Sequence, residues 1–122
     1  MAVSFDHLAL PAKDPDGAAR FLADLLDLAV ETDGAEDEFK CLRLDRGSVL
    51  FVPATAAVTP HHVAFRVAPS EFEPLLLRLR ARNIAFGNDP EDATNARSLD
   101  PLGGHGRVYF VHPEGHLFEV CA

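Results

Sequence analysis

Residues 106–120 read GRVYFVHPEGHLFEV, and this stretch decides the fold. Two apolar runs flank Pro113-Glu114-Gly115, which predicts two strands joined by a tight turn. With the turn centred on Glu114, Tyr109 and Glu119 lie directly opposite each other, and opposed residues of an antiparallel pair point to the same face. A carboxylate inside an apolar strand is costly unless something pairs with it. Glu119 therefore needs a partner elsewhere in the chain.

Composition limits the class of protein. The chain has 122 residues, of which 25% are charged and 48% hydrophobic, so we expect one soluble globular domain, residues 1–122. The net charge of −8 argues against nucleic acid or an anionic membrane as a partner, because both are bound by clustered Lys and Arg. Two cysteines do not make a disulfide framework. No basic region precedes an apolar run, and no apolar run approaches bilayer length, so we expect a cytoplasmic protein without a signal peptide or membrane span.

Residues 1–56 form a first module of one strand, one helix and three more strands. Val3–Leu10 alternates in a way that predicts a strand with His7 on one face and Leu10 on the other. Asp14, followed by a proline, predicts a capped helix start. Three short strands follow, and the last two form a hairpin. Their predicted bounds are Ala29–Thr32, Phe39–Leu44 and Ser48–Val52.

Residues 57–122 repeat this plan. His61–Val67 predicts a strand, and Ser70-Glu71-Phe72-Glu73 fits a capping box at the start of a helix. Ile84–Phe86 predicts a short strand, and the long polar loop Asn88–Gly106 leads into the closing hairpin. Four apolar side chains at helical spacing predict the buried stripe of the second helix. They are Phe72, Leu75, Leu76 and Leu79.

The repeat brings polar residues of the two modules into correspondence. His7 matches His62 at an offset of 55, and GSVLFVPA matches GHLFEVCA at an offset of 68, which sets Phe51 against Glu119. A pseudo-twofold fold would bring the four positions together. Two imidazoles and one carboxylate on one face form a metal site with open positions, suited to Mn, Fe, Co, Ni or Zn. Phe51 removes the fourth protein ligand.

The same residues also have a purely structural interpretation. His7 and His62 would then be bonded to the backbone or to Glu119, with no metal present. Tyr109 is open to two interpretations as well. It donates a hydrogen bond or a proton to a substrate, or it is an ordinary aromatic strand residue.

Four segments resemble the vicinal oxygen chelate superfamily, which includes glyoxalases, extradiol dioxygenases and fosfomycin- and bleomycin-resistance proteins. They read FDHLAL, DPDGAARFLADLLDL, HHVAFRV and VYFVHPEGHLFEV. The resemblance implies an α+β fold of two βαβββ modules that close a cup-shaped mixed sheet, with helices outside. It implies His7, His62 and Glu119 as ligands of a divalent metal ion. It also implies a homodimer, which in swapped members forms each site from both chains.

Two functions follow from this resemblance. The first is a metal-dependent enzyme, of lyase, dioxygenase or epoxide or thiol transferase type, that transforms a small oxygen-rich molecule by Lewis-acid catalysis with Tyr109 and Glu119 at the site. The alternative is a non-catalytic small-molecule binder of the bleomycin-resistance kind. Phe51 departs from the four-ligand set of glyoxalase I, and Ala9 stands where fosfomycin-resistance enzymes carry Thr.

Several other polar residues carry weaker hypotheses. Glu38 is a general base by analogy with epoxide-hydrating relatives, or part of a solvated acidic loop. Asn95, Arg97 and His105 line a lid over the site, or belong to a surface loop held by its prolines. The histidines that flank the closing turn are expected at the surface. They are His112 and His116.

Overall fold

The apolar periodicity of the sequence yields seven strands and two helices in the computed structural model, which describes residues 2–32 and 39–122. In chain order these elements are β1 (His7–Ala12), α1 (Pro15–Leu26), β2 (Val30–Thr32), β3 (Lys40–Arg43), β4 (Ser48–Pro53), β5 (His62–Arg66), α2 (Pro69–Ala81), β6 (Arg107–Val111) and β7 (Leu117–Cys121). The α+β class is confirmed. The chain divides into two compact units, Met1–Thr59 and Pro60–Ala122, and each is described by itself.

The first unit is a four-stranded sheet with α1 packed on it. Its strand order is β1-β4-β3-β2, with β1 parallel to β4 and the other pairs antiparallel. Asp14 caps α1 as predicted, because its Oδ1 accepts the backbone N–H of Gly17 at 3.1 Å. The first strand begins four residues later than predicted, at His7. Its parallel partner β4 begins opposite it at Ser48, directly after the hairpin turn.

The second unit is a three-stranded sheet of order β5-β7-β6. β5 runs parallel to β7, and β6 and β7 form the antiparallel closing hairpin. Tyr109 pairs with Glu119, as the turn length predicts. The predicted stripe of α2 is confirmed, because all four of its side chains are buried. Within the described part of the chain, neither helix combines the length and apolar character that crossing a membrane requires.

Two local predictions for the second unit are wrong. The N-cap of α2 is Ala68 and makes no side-chain capping bond, so Ser70 is not the cap. Pro69 takes the first helical position, where its fixed φ suits the helix and its missing N–H needs no partner. Ile84–Phe86 forms no strand. Gly87 alone exchanges both backbone hydrogen bonds with β6 (3.1 and 2.7 Å), and the Phe86 carbonyl accepts from the loop instead, at 2.8 Å.

Strand register also corrects the repeat. His7 pairs with Ser48 in the first unit, whereas His62 pairs with Leu117 in the second, so the offset within the hairpin strands is 69 rather than 68. Glu119 therefore corresponds to Leu50, and the match to Phe51 is wrong by one residue. Phe51 is fully buried and lies on the opposite face of β4 from Leu50. Leu50 has no ligating atom either, so a fourth protein ligand is still missing at the corresponding position.

The two helix starts give a test of these caps. Replacing Asp14 with Ala removes the acceptor of the Gly17 N–H and is expected to lower the free energy of unfolding by about 1 kcal/mol. The matched change Ser70→Ala touches no cap and is expected to stay within about 0.5 kcal/mol of wild type. Urea denaturation of both variants measures the difference. An equal loss for the two would contradict this assignment of the caps.

Candidate functional site

Glu119 finds one of its predicted partners on the neighbouring strand. It lies on β7, and His62 lies on β5, two residues before the direct neighbour of Glu119 in the parallel pair. Residues two apart on a strand share a face, so the two side chains meet diagonally. His62 Nε2 lies 2.8 Å from Glu119 Oε1. Glu119 is only 7% exposed, while 51% of the His62 side chain is open to solvent, so the pair joins a buried carboxylate to an accessible imidazole.

Tyr109 lies on the same face, on the other side of β7 from β5. It pairs with Glu119 in the hairpin, and its ring centroid lies 6.0 Å from that of His62. Burial raises the pKa of the Tyr109 phenol, and the neighbouring Glu119 charge raises it further. The phenol is therefore protonated at neutral pH and suited to donating a hydrogen bond rather than to acting as a base.

Arg107 is a member of the site that the sequence analysis missed. Its Nη1 donates to Glu119 Oε2, and its Nε donates to Asp100 Oδ1 at 2.9 Å. The hydrogen bond from Arg107 is the main reason that the pKa of Asp100 lies below its ordinary value. The same hydrogen bond raises the pKa of Arg107. A signal was present in the sequence, because Arg107 stands two residues before Tyr109 and alternation puts both on one face.

His7 opens β1 in the first unit, with 53% of its side chain exposed. Its Nδ1 lies 2.7 Å from Asp6 Oδ2. A carboxylate on one imidazole nitrogen fixes the ring orientation and leaves the other nitrogen for a ligand, as is usual for metal-binding histidines. Asp6 was also missed, although it is the residue before His7 in FDHLAL.

The donor set fits a divalent ion in chemistry, and two of the three predicted ligands meet. The 2.8 Å between His62 Nε2 and Glu119 Oε1 is a hydrogen-bond distance, as the structural interpretation of these residues also predicts. His7 belongs to the other unit. Among residues 2–32 and 39–122, no group of three or more His, Cys, Asp or Glu side chains is arranged to hold a metal ion. Glu38 lies outside the described residues.

The histidines at the closing turn are buried, so the expectation of surface positions is wrong. His112 Nδ1 accepts the N–H of Glu114, and His116 Nδ1 accepts the N–H of His61, both at 3.0 Å. A tight turn leaves backbone N–H groups that need acceptors, and the two imidazoles supply them. These histidines hold the turn and the start of β5.

The loop Asn88–Gly106 is held by side-chain amides and a carboxylate. Asn95 Nδ2 donates to Asn88 Oδ1 at 2.9 Å, and its Oδ1 accepts the Arg97 N–H at 2.8 Å. Asn95 therefore links two parts of the loop by hydrogen bonds. His105 is exposed and packs edge-on against Phe72 of α2.

Comparison with known proteins gives relatives over nearly the whole chain. No protein-family model matches it. It is 30% identical to a glutathione transferase, FosA of Serratia marcescens, over 98% of this chain and 81% of that protein. Among solved structures, oxidase ChaP-H1 is 35% identical with a TM-score of 0.89, covering 98% of this chain and 94% of that one. The fosfomycin resistance protein FosX of Listeria monocytogenes, in complex with Mn(II) and sulfate, shares the fold at 19% identity and a TM-score of 0.71, covering 100% and 91%.

The chain has one tyrosine and no tryptophan, so phenolate absorbance reports on Tyr109 alone. We expect its titration midpoint to lie above the ordinary 10.0. Glu119→Gln removes a charge that raises the pKa of Tyr109, so the midpoint should fall. Glu114→Gln, an acid in the turn of the same hairpin, should leave it unchanged. A wild-type midpoint at or below 10.0, or no response to Glu119→Gln, would contradict this geometry.

Proposed function

Because this chain belongs to the vicinal oxygen chelate superfamily, we propose that it is a divalent-metal-dependent enzyme that transforms a small molecule bearing neighbouring oxygen atoms. The observation that carries the proposal is the contact of His62 with Glu119, 2.8 Å apart, on the face that also presents Tyr109. An imidazole nitrogen and a carboxylate oxygen are both common ligands of divalent ions, and the half-exposed His62 makes the pair accessible from solvent.

The proposed metal ligands are His62, Glu119 and His7. Neutral imidazole nitrogens and a carboxylate suit Mn, Fe, Co, Ni or Zn. Mn(II) is the first ion to test, because a structure with the same fold contains it. When bound, such an ion supplies Lewis-acid stabilisation of negative charge on substrate oxygens.

The chain's own residues supply binding, orientation and a proton. His62 and Glu119 bind the ion from one side, and Ala64, the direct neighbour of Glu119 on β5, adds only a methyl group to that face. Tyr109 presents a protonated phenol beside Glu119, so it donates a hydrogen bond to a substrate oxygen or a proton in the reaction. Asp6 holds the His7 ring with Nε2 available to a ligand.

Oxidation is the reaction class we propose first. The oxidase ChaP-H1 is 35% identical to this chain and is covered over 94% of its length, which supports oxidation as the reaction. A catechol is the first substrate to test, because its two adjacent hydroxyl oxygens can bind one ion together. Thiol transfer to fosfomycin is the second candidate, because the glutathione transferase FosA is 30% identical to this chain.

The complete site is proposed to need two protomers. His62 and Glu119 meet within one unit of the chain and His7 belongs to the other unit, and swapped members of the superfamily form each site from both chains. His7 of one protomer would join His62 and Glu119 of its partner in a homodimer. The asymmetric role of the two halves makes this arrangement testable by mixing variants.

Metal content separates the enzyme from a non-catalytic binder. Wild-type protein is expected to bind one equivalent of Mn(II) per chain and to be active on a panel of catechols or on fosfomycin with a thiol. His62→Ala and Glu119→Ala should lose both properties, because each removes a ligand. His105→Ala, a histidine outside the proposed set, should keep both. Elemental mass spectrometry after dialysis measures the ion. Wild-type protein that binds none of the five ions would exclude the enzyme and leave the small-molecule binder.

A mixing experiment tests the two-protomer site. His7→Ala and Glu119→Ala homodimers are each expected to bind no metal. After exchange of protomers, every heterodimer has one site with all its ligands intact. Random exchange makes about half of the dimers heterodimers, and each heterodimer has one intact site out of two. About a quarter of all metal sites should therefore return, provided that the two sites of a dimer bind independently. Sites built within one chain would return none, and that outcome would contradict the shared site.

A further inference from the structure

Two charged residues have no part in the proposed chemistry, namely Asp100, which is buried, and Arg107, which is largely but not fully buried. Arg107 lies on β6 with 12% of its side chain exposed, and Asp100 lies in the loop before it with 4% exposed. Arg107 bridges two carboxylates, since its Nε donates to Asp100 Oδ1 and its Nη1 donates to Glu119 Oε2. A continuous chain of charged contacts therefore runs from the loop to a proposed metal ligand.

The loop fixes Asp100 in a single orientation. Its Oδ1 accepts the N–H of Leu102 at 2.9 Å, and its Oδ2 accepts the N–H of Gly104 at 3.0 Å. A Cβ at Gly104 would lie 2.3 Å from Asp100 Oδ2, so only glycine allows this approach. The backbone N–H of Arg107 also donates to the Ser98 carbonyl at 3.0 Å. Asp100 is thus a rigid anchor for the guanidinium.

Desolvation of these three charged groups costs free energy, so stability alone is a weak reason for the arrangement. One cation and two carboxylates have left water, and well-packed apolar residues often stabilise a fold at least as well as a buried ion pair. The guanidinium has its donors in a rigid plane, so anchoring Nε on Asp100 also fixes where Nη1 points. The arrangement therefore fixes the orientation of the Glu119 carboxylate and adds little to the stability of the fold.

The two oxygens of Glu119 have different partners. Arg107 occupies Oε2, while Oε1 lies 2.8 Å from His62 Nε2, on the side of the proposed ion. An unrestrained carboxylate would rotate and could offer both oxygens. Groups that bond to a metal ligand from behind fix its orientation and tune its affinity for the ion.

We propose that Arg107, anchored by Asp100, is a positioning residue that holds Glu119 to bind the metal ion through Oε1 alone. This inference rests on the metal-binding role proposed above for Glu119. It makes residues 98–106 part of the site, because the loop sets the orientation of a ligand that lies on a different element.

Titration of the full-length protein with Mn(II), followed by electron paramagnetic resonance of the free and bound ion, tests this role. Arg107→Met is expected to weaken binding by about 10–100-fold, the usual loss when the group behind a ligand is removed. Arg107→Lys should lose less, because an ammonium still reaches a carboxylate but cannot bridge two in a fixed plane. Asp100→Asn should weaken binding in the same direction by releasing the anchor. The spectrum of bound Mn(II) should change in all three variants.

Arg66→Met is the matched control, since it removes the same charge from an exposed residue on the His62 face of β5 and should keep wild-type affinity. Thermal unfolding confirms that each variant is folded, and Arg107→Lys and Asp100→Asn carry the test if Arg107→Met does not fold. Folded variants with unchanged or tighter Mn(II) binding would overturn the positioning role while leaving the metal site intact. Wild-type protein that binds neither Mn(II) nor any of the other four proposed ions would instead overturn the proposed function on which the role rests.

Discussion

The structure of the second unit depends on how one buried carboxylate is satisfied. Glu119 lies inside β7 between apolar neighbours that are fully buried, and it cannot be solvated there. Removing one partner of such a buried charge typically costs about 3–5 kcal/mol. His62 and Arg107 meet this requirement from the two flanking strands, one on each oxygen. Pairing of β7 with both β5 and β6 is thus what brings the two partners to Glu119.

The same arrangement divides the face into an accessible and an inaccessible side. His62 is half exposed, whereas Arg107 is largely covered and Asp100 is buried. The more accessible side of the carboxylate is therefore the histidine side, where the Tyr109 phenol also lies. The Arg107 guanidinium offsets one of the two carboxylate charges on the inaccessible side.

The sequence predicted features that depend on short-range periodicity. The pairing of Tyr109 with Glu119 follows from alternation and from a turn of fixed length, and the structure has this register. The buried stripe of α2 follows from helical spacing. The Asp14 cap follows from the need of the first helical N–H groups for an acceptor. Each of these is decided by residues within about ten positions of one another in the chain.

Features that depend on tertiary contacts were missed or misplaced. Phe51 was matched to Glu119 by sequence similarity between the two segments. The strand pairing shows instead that Leu50 corresponds to Glu119. Asp100 carries no periodic signal, because its role comes from a loop that folds back onto β6. The turn histidines are buried because backbone N–H groups needed their nitrogens, a demand that appears only once the chain is folded.

The central claim is that Glu119 and His62 hold a divalent ion with Arg107 behind the carboxylate. A crystal structure of the protein with Mn(II), with anomalous differences recorded near the manganese absorption edge, tests it most directly. The expected result is an anomalous peak for an ion bound by His62 Nε2, by Glu119 Oε1 alone and by His7, with Arg107 still donating to Glu119 Oε2. A peak away from Glu119, or a Glu119 that binds through both oxygens after Arg107 has moved away, would contradict it.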